Sequence, residues 1–92
     1  MSTSEPQLEE LLEYPCSFTF RVVASASEGL DGRCRALVEG TLGRPALQAV
    51  LQPSAKGNYS SVRVTAVVLS ADEIRAAYQA LKGGISDIKM LL

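Results

Sequence analysis

Few side chains of this sequence have the chemistry of a catalytic centre. The 92 residues include no histidine, which removes the most common general base and the most common metal ligand. The two cysteines, Cys16 and Cys34, are far apart in sequence, and neither has an obvious base beside it. Ser70 to Glu73 has the pattern of a capping box at a helix start, in which the Ser70 hydroxyl and the Glu73 carboxylate bind each other's free backbone amides. Asp72 and Glu73 therefore serve a cap and not acid–base chemistry. We therefore predict a protein that is not an enzyme and that uses no metal and no cofactor.

One stretch has residues suited to anion binding, namely Ser54, Ala55, Lys56, Gly57 and Asn58. Backbone amides of such a turn, together with the Lys56 ammonium, could hold an anion. A plain hairpin turn explains the same residues, because Gly and Asn adopt positive φ at low cost. Both interpretations stay open, and the plain turn is the simpler one.

A second candidate is a cationic group on one side of a predicted sheet. Arg21, Arg63 and Lys89 share that side in the strand patterns, and Arg21 and Arg63 fall on adjacent central strands. A solvated sheet surface is the simplest interpretation. The functional alternatives are an anionic ligand or a partner with an acidic or apolar surface. The second alternative is favoured by aliphatic residues that we expect on the same side: Val23, Val50, Val67 and Leu91.

Composition narrows the class of protein. Apolar residues make up 47% of the chain and charged residues 21%, as in an ordinary globular domain. The chain has nine basic and ten acidic residues. This balance argues against bulk attraction to nucleic acid, because counterion release requires an excess of cations. No stretch approaches the roughly 20 apolar residues of a membrane helix. Because the sequence shows no pattern of an export signal, we expect a cytoplasmic protein with reduced cysteines.

Hydrophobic periodicity predicts six main elements. Alternating patterns predict strands at 16–23, 46–52, 60–69 and 88–92, and helical spacing predicts helices at 30–42 and 71–82. Ser27 or Asp31 is expected to cap the first helix, and Gly43 to end it. A short amphipathic helix is expected at 7–14. We expect residues 1–6 to be a flexible tail and 7–92 to form one domain.

The order βαββαβ predicts an α+β fold of the ferredoxin-like type. Right-handed crossovers place both helices on one face of a four-stranded antiparallel sheet, with the first and third strands central. The predicted buried set is Phe18, Phe20, Val22, Leu47, Leu51, Val62, Val64, Val68, Ile88 and Met90. Since both phenylalanines are buried in this arrangement, RNA stacking on the open face is not favoured. An acylphosphatase-like site is not favoured either, because residues 24–29 contain no arginine.

Three ordered blocks of sequence resemble the YbeD-like family of small bacterial proteins of unknown function. They are 11–16 (LLEYPC), 53–59 (PSAKGNY) and 88–92 (IKMLL). The resemblance implies a ferredoxin-like fold akin to ACT regulatory domains, which sense amino acids through the loop after the first strand, usually at a dimer interface. In this chain the matching loop residues are Ser25, Ser27, Glu28 and Gly29. The family resemblance also brings a suggested link to lipoate metabolism.

The leading hypothesis is a non-catalytic regulatory or interaction domain that acts through a small metabolite, a protein partner or self-association as a homodimer. One alternative is an enzyme of unfamiliar type that uses Lys56, Tyr59 or Cys16. The other is a weak nucleic-acid binder that uses Arg21, Arg63 and Lys89.

Overall fold

A computed structural model describes residues 13–91, which form a two-layer βαββαβ domain. Its elements are β1 (Cys16–Ser25), α1 (Leu30–Leu42), β2 (Gln48–Pro53), β3 (Tyr59–Val68), α2 (Ala71–Gly84) and β4 (Ile88–Leu91). The sheet is antiparallel with the order β2-β3-β1-β4, so the predicted ferredoxin-like fold with β1 and β3 at its centre is confirmed. The predicted tail at 1–6 and most of the predicted helix at 7–14 lie outside the described residues. Glu13 and Tyr14, which the structure does describe, are not helical.

The core lies between the sheet and the two helices. Phe20 and Val22 of β1 and Val62, Val64 and Val68 of β3 are fully buried, as their spacing predicted. The helices cover them with Leu30 and Val38 of α1 and Ile74 and Leu81 of α2. Burial of each such side chain contributes about 1.5 to 3 kcal/mol, so these rows supply most of the driving force for the fold.

The helix termini follow the sequence only in part. Gly29, with φ 74°, is the N-cap of α1, and no side chain caps this helix, so the predicted cap by Ser27 or Asp31 is wrong. Gly43 ends α1 as predicted, with φ 72° and its amide donating to Glu39 O. At the start of α2 the Ser70 hydroxyl accepts from the Glu73 amide as expected.

Two leucines of the predicted core are exposed. Leu47 precedes β2 and is 61% exposed, and Leu51 within β2 is 40% exposed. β2 is an edge strand whose contact with the core is made by Ala49. An edge strand has only one neighbouring strand, so its side chains are covered less than those of a central strand, and the same alternating pattern does not bury these leucines.

A β-bulge in β4 reverses the predicted facing of the last residues. Met90 pairs with Val23 but Ile88 pairs with Ala24, so Lys89 is an extra residue in β4. Met90 therefore lies on the open face and is 51% exposed, whereas Leu91, opposite Val22, packs against the core. The predictions of a buried Met90 and an open-face Leu91 are both wrong, because strict alternation does not hold across a bulge.

The bulge predicts unequal effects of matched substitutions in β4. Leu91→Gln should lower the free energy of unfolding by about 1 to 2 kcal/mol, because it removes apolar area from the core. Met90→Gln should change it by no more than about 0.5 kcal/mol, as for an exposed position. Urea unfolding of both variants measures the difference, and equal losses would contradict the bulged register.

An ion pair joins the α1–β2 connection to the start of α2. Arg44 contacts both carboxylate oxygens of Glu73, at 2.9 and 3.0 Å, and donates to Val67 O at 2.9 Å. Glu73 Oε1 also accepts from the Leu69 amide at 2.8 Å. The hydrogen bond from Arg44, followed by that from Leu69, lowers the pKa of Glu73 below its ordinary value of 4.5. The predicted capping box is thus altered, because the Glu73 carboxylate bonds the Leu69 amide and not that of Ser70.

This lowered pKa predicts acid sensitivity. A carboxylate whose pKa is lower in the folded state stabilises that state above its unfolded pKa, and the contribution is lost as the pH falls through the folded value. The stability difference between the native protein and Glu73→Gln should therefore be full at pH 7 and should decline below about pH 4.5. Thermal unfolding from pH 7 to pH 3 measures this difference. A difference that stays constant over this range would show that the ion pair does not contribute.

Candidate functional site

A polar cavity of about 220 Å³ opens at the end of the sheet where β1 ends and α1 begins. We call it the loop cavity. One wall is the β1–α1 loop with the first turn of α1, and the other is the end of α2 with the α2–β4 connection. Its lining residues are Ser25, Ala26, Ser27, Arg33, Gly84, Ile85, Ser86 and Asp87.

The four loop residues suggested by the family resemblance all lie at or beside this cavity. Ser25 and Ser27 line it directly. Glu28 contributes its backbone carbonyl, which accepts from Arg33 Nη1 at 2.8 Å. Gly29 turns the chain into α1 through a positive φ that suits glycine.

Arg33 is the one strong cation of the loop cavity. Its Nη2 donates to Ser27 Oγ, and its Nη1 donates to Glu28 O, so the loop itself orients the guanidinium. Within residues 13–91 it forms no ion pair with a carboxylate. The sequence did not predict this role, because Arg33 lies outside the loop at 24–29. The available signal was its place in the first turn of α1, where a long side chain leans back toward the helix start.

The opposite wall is positioned by contacts between elements distant in sequence. Ser25 N donates to Asp87 O at 3.2 Å, which ties the end of β1 to the α2–β4 connection. Asp87 has φ 56°, a conformation that Asp tolerates better than most residues. At Gly84 a Cβ atom would lie 2.6 Å from Leu37 Cδ1, so the missing side chain allows the end of α2 to approach α1. These contacts leave hydroxyls, one cation and one carboxylate around the cavity.

The turn at 54–59 behaves as a hairpin turn. Ser54 N donates to Tyr59 O, Gly57 N donates to Ser54 O, and Tyr59 N donates to Ser54 Oγ. These three amides are occupied within the turn, as in a plain hairpin turn. Lys56 is exposed and does not line the loop cavity. Asn58 O accepts from Ala26 N at 3.0 Å, so the turn braces the β1–α1 loop.

Cys16 of the enzyme alternative lies far from Lys56 and Tyr59, which share the turn at 54–59. Tyr59 pairs with Ser25 at one end of β1, whereas Cys16 pairs with Val68 at the other end. Cys34 is buried in the core, and this burial raises its pKa to about 11. Both thiols are free, and no cluster of three metal-ligating side chains occurs between residues 13 and 91.

The side of the sheet away from the helices, which we call the open face, brings Arg21 and Arg63 together. They are direct partners in the β1–β3 ladder. Arg63 Nη2 donates to Gln52 Oε1 at 3.3 Å. Lys89, the third predicted cation, lies with its Nζ 5.7 Å from the centre of the Tyr59 ring. The open face is therefore cationic, but only two of the three cations are direct neighbours.

The described part of the chain contains no helix with the length and apolar character needed to cross a membrane. The fold and the loop cavity together define a small ferredoxin-like α+β domain with a polar cleft beside its first loop. The chain belongs to the family described as "Protein of unknown function (DUF493)", which matches residues 9–92. This finding confirms the predicted family.

Relatives in other bacteria share nearly the full length. A UPF0250 protein of Vibrio cholerae is 37% identical over 89 residues, which cover 97% of this chain and 95% of the relative. A UPF0250 protein of Yersinia pestis is 36% identical over 86 residues, which cover 94% of this chain and 97% of the relative.

Solved structures agree on the fold. The solution structure of a Helicobacter pylori protein (HP0495) superposes with a TM-score of 0.73 at 20% identity and covers 98% of this chain and 90% of its own. An uncharacterized protein from Thermotoga maritima superposes with a TM-score of 0.56 at 18% identity. The match covers 83% of this chain and 92% of the Thermotoga protein. At these identities the likeness concerns the fold alone.

The burial of Cys34 predicts that its thiol is inert. With a pKa of about 11, its thiolate fraction at pH 7 is about one part in ten thousand, and the surrounding core blocks access. Iodoacetamide at pH 7.5 should leave Cys34 unmodified in the native protein and modify it in urea, as followed by peptide mass spectrometry. Modification of native Cys34 as fast as of the partly exposed Cys16 would contradict the buried position.

Proposed function

We propose that this protein is a non-catalytic binding domain that takes a small polar metabolite into the loop cavity and acts as a regulatory module. The observation that carries the proposal is the orientation of Arg33 at the cavity wall. Ser27 and Glu28 hold the guanidinium there through neutral oxygens, so its positive charge is left for a ligand.

Arg33 suits an anionic group on the ligand. A guanidinium has five N–H donors in a planar fork, and the contacts to Ser27 and Glu28 use only one from each terminal nitrogen. The remaining donors can bind a carboxylate or phosphate, and a hydrogen bond to a charged group contributes about 1.5 to 3 kcal/mol. Hydroxyls of Ser25, Ser27 and Ser86 can orient the rest of the ligand.

The volume of the cavity restricts the size of the ligand. About 220 Å³ is smaller than the roughly 300 Å³ at which drug-sized sites begin. We therefore favour metabolites of the size of an amino acid. The carboxylate of lipoate is a further candidate because of the link suggested for the family.

The contacts of the loop support a regulatory role. Ala26 is bonded to the turn at Asn58, and Ser25 to the connection at Asp87. A ligand that bridges the two walls would shift the equilibrium between looser and tighter arrangements of these three segments, since it binds them with different affinity. We place this activity in the cytoplasm, where Cys16 and Cys34 stay reduced.

The proposal predicts stabilisation by a ligand and its loss in Arg33→Ala. Thermal-shift screening with amino acids, lipoate and nucleotides should give a higher Tm with at least one class, because a ligand that binds only the folded state stabilises it. Arg33→Ala should weaken that ligand at least about tenfold, which corresponds to about 1.4 kcal/mol.

Arg63→Ala is the matched control, since Arg63 is an exposed arginine outside the cavity. It should bind the same ligand as the native protein does. Absence of a shift with every class, or equal binding by Arg33→Ala and the native protein, would count against this function.

A further inference from the structure

The charges of this protein are segregated between its layers. None of the four strands contains an aspartate or a glutamate, although the whole chain has ten of them against nine basic residues. The strands contain three basic residues, Arg21, Arg63 and Lys89. All described carboxylates thus lie outside the strands, and the open face is cationic in a protein with a net charge of −1.

The pairing of Arg21 with Arg63 is electrostatically unfavourable within the sheet. Like charges directly opposite each other on adjacent strands are destabilising. In the described part of the chain neither guanidinium is paired with a carboxylate, and Arg63 has only the neutral amide of Gln52. The two exposed arginines at the centre of the sheet therefore lack a negatively charged partner among the described residues.

Aliphatic surface lies directly beside the arginines. Val50 pairs with Arg63 in the β2–β3 ladder, and Val23 follows Arg21 by two residues and pairs with Met90. The bulge at Lys89 is what places the exposed Met90 there. A partner that binds this surface with complementary chemistry must present carboxylates and apolar groups side by side.

We propose that the open face is an interaction surface for an acidic amphipathic helix of a protein partner. Direct partners in an antiparallel ladder have Cα atoms about 4.5 to 5.5 Å apart. Residues four apart on a helix have Cβ atoms about 5 to 6 Å apart. Glutamates at that spacing match the Arg21 and Arg63 pair, and an adjacent leucine stripe packs on Val23, Val50 and Met90.

Other occupants fit this surface less well. Phe18 and Phe20 pack on the helix side with the core, and the ring of Tyr59 is covered by the Lys89 ammonium, so the described strands offer no free platform for base stacking. A second copy that docked through the same face would bring Arg21 and Arg63 against their own counterparts. Charge complementarity thus favours an acidic polypeptide.

The test uses the full chain, labelled with ¹⁵N, and a synthetic helical peptide with glutamates four residues apart beside a leucine stripe. Chemical-shift changes should centre on β1 and β3 around Arg21 and Arg63. Arg21→Gln/Arg63→Gln should weaken binding at least tenfold, and added salt should weaken it in the native protein. Arg35→Gln, at an exposed arginine of α1, is the matched control and should bind as the native protein does.

Several results would overturn the inference. These are shifts on the helix side, equal binding of the same peptide with lysines in place of glutamates, tighter binding of an oligonucleotide at the open face, or self-association through that face. Stability gives an independent readout, because removal of a like-charge pair should leave the Tm of the double variant equal or higher. A lower Tm would mean that the arginines serve the fold, and the inference would fail.

Discussion

The pairing of β1 with β3 is the constraint on which the rest of the molecule depends. It runs in unbroken register from Cys16 opposite Val68 to Ser25 opposite Tyr59. Because side chains alternate along both strands, this one register decides at once which side chains enter the core and which stay outside. It buries Phe20 against Val64 and, one position further, sets Arg21 against Arg63. The hydrophobic core and the cationic open face are therefore two results of the same alignment.

The parts of the structure that sequence predicted are those governed by local periodicity. The order of elements, the central strands and the buried rows of β1 and β3 follow from alternation and helical spacing, which are properties of neighbouring residues. Prediction failed where a residue's surroundings depend on distant segments. Leu51 has a core-facing pattern but lies on an edge strand, and Met90 is displaced by an extra residue in β4 that leaves no trace in the pattern.

The candidate site likewise contains some residues that the sequence predicted and others that only the structure identifies. The resemblance pointed to the loop at 25–29, and the structure places these residues at or beside a cavity. Arg33, which supplies the charge, was not predicted, although its place in the first turn of α1 lets its side chain reach back to Ser27 and Glu28. Asp87 and Ser86 were not predicted either. They come from the other end of the chain, and only the tertiary fold brings them next to Ser25.

The contact at Gly84 links the loop cavity to the packing of the helices. Gly84 lines the cavity, yet the atoms that limit its position belong to Leu37, a residue of α1 that does not line it. The position of this wall of the cavity therefore depends on how closely α2 packs against Leu37 of α1. A larger side chain at position 37 would crowd Gly84, although position 37 itself does not line the loop cavity. The packing of α1 against α2 and the shape of the loop cavity are therefore linked through a position that has no side chain.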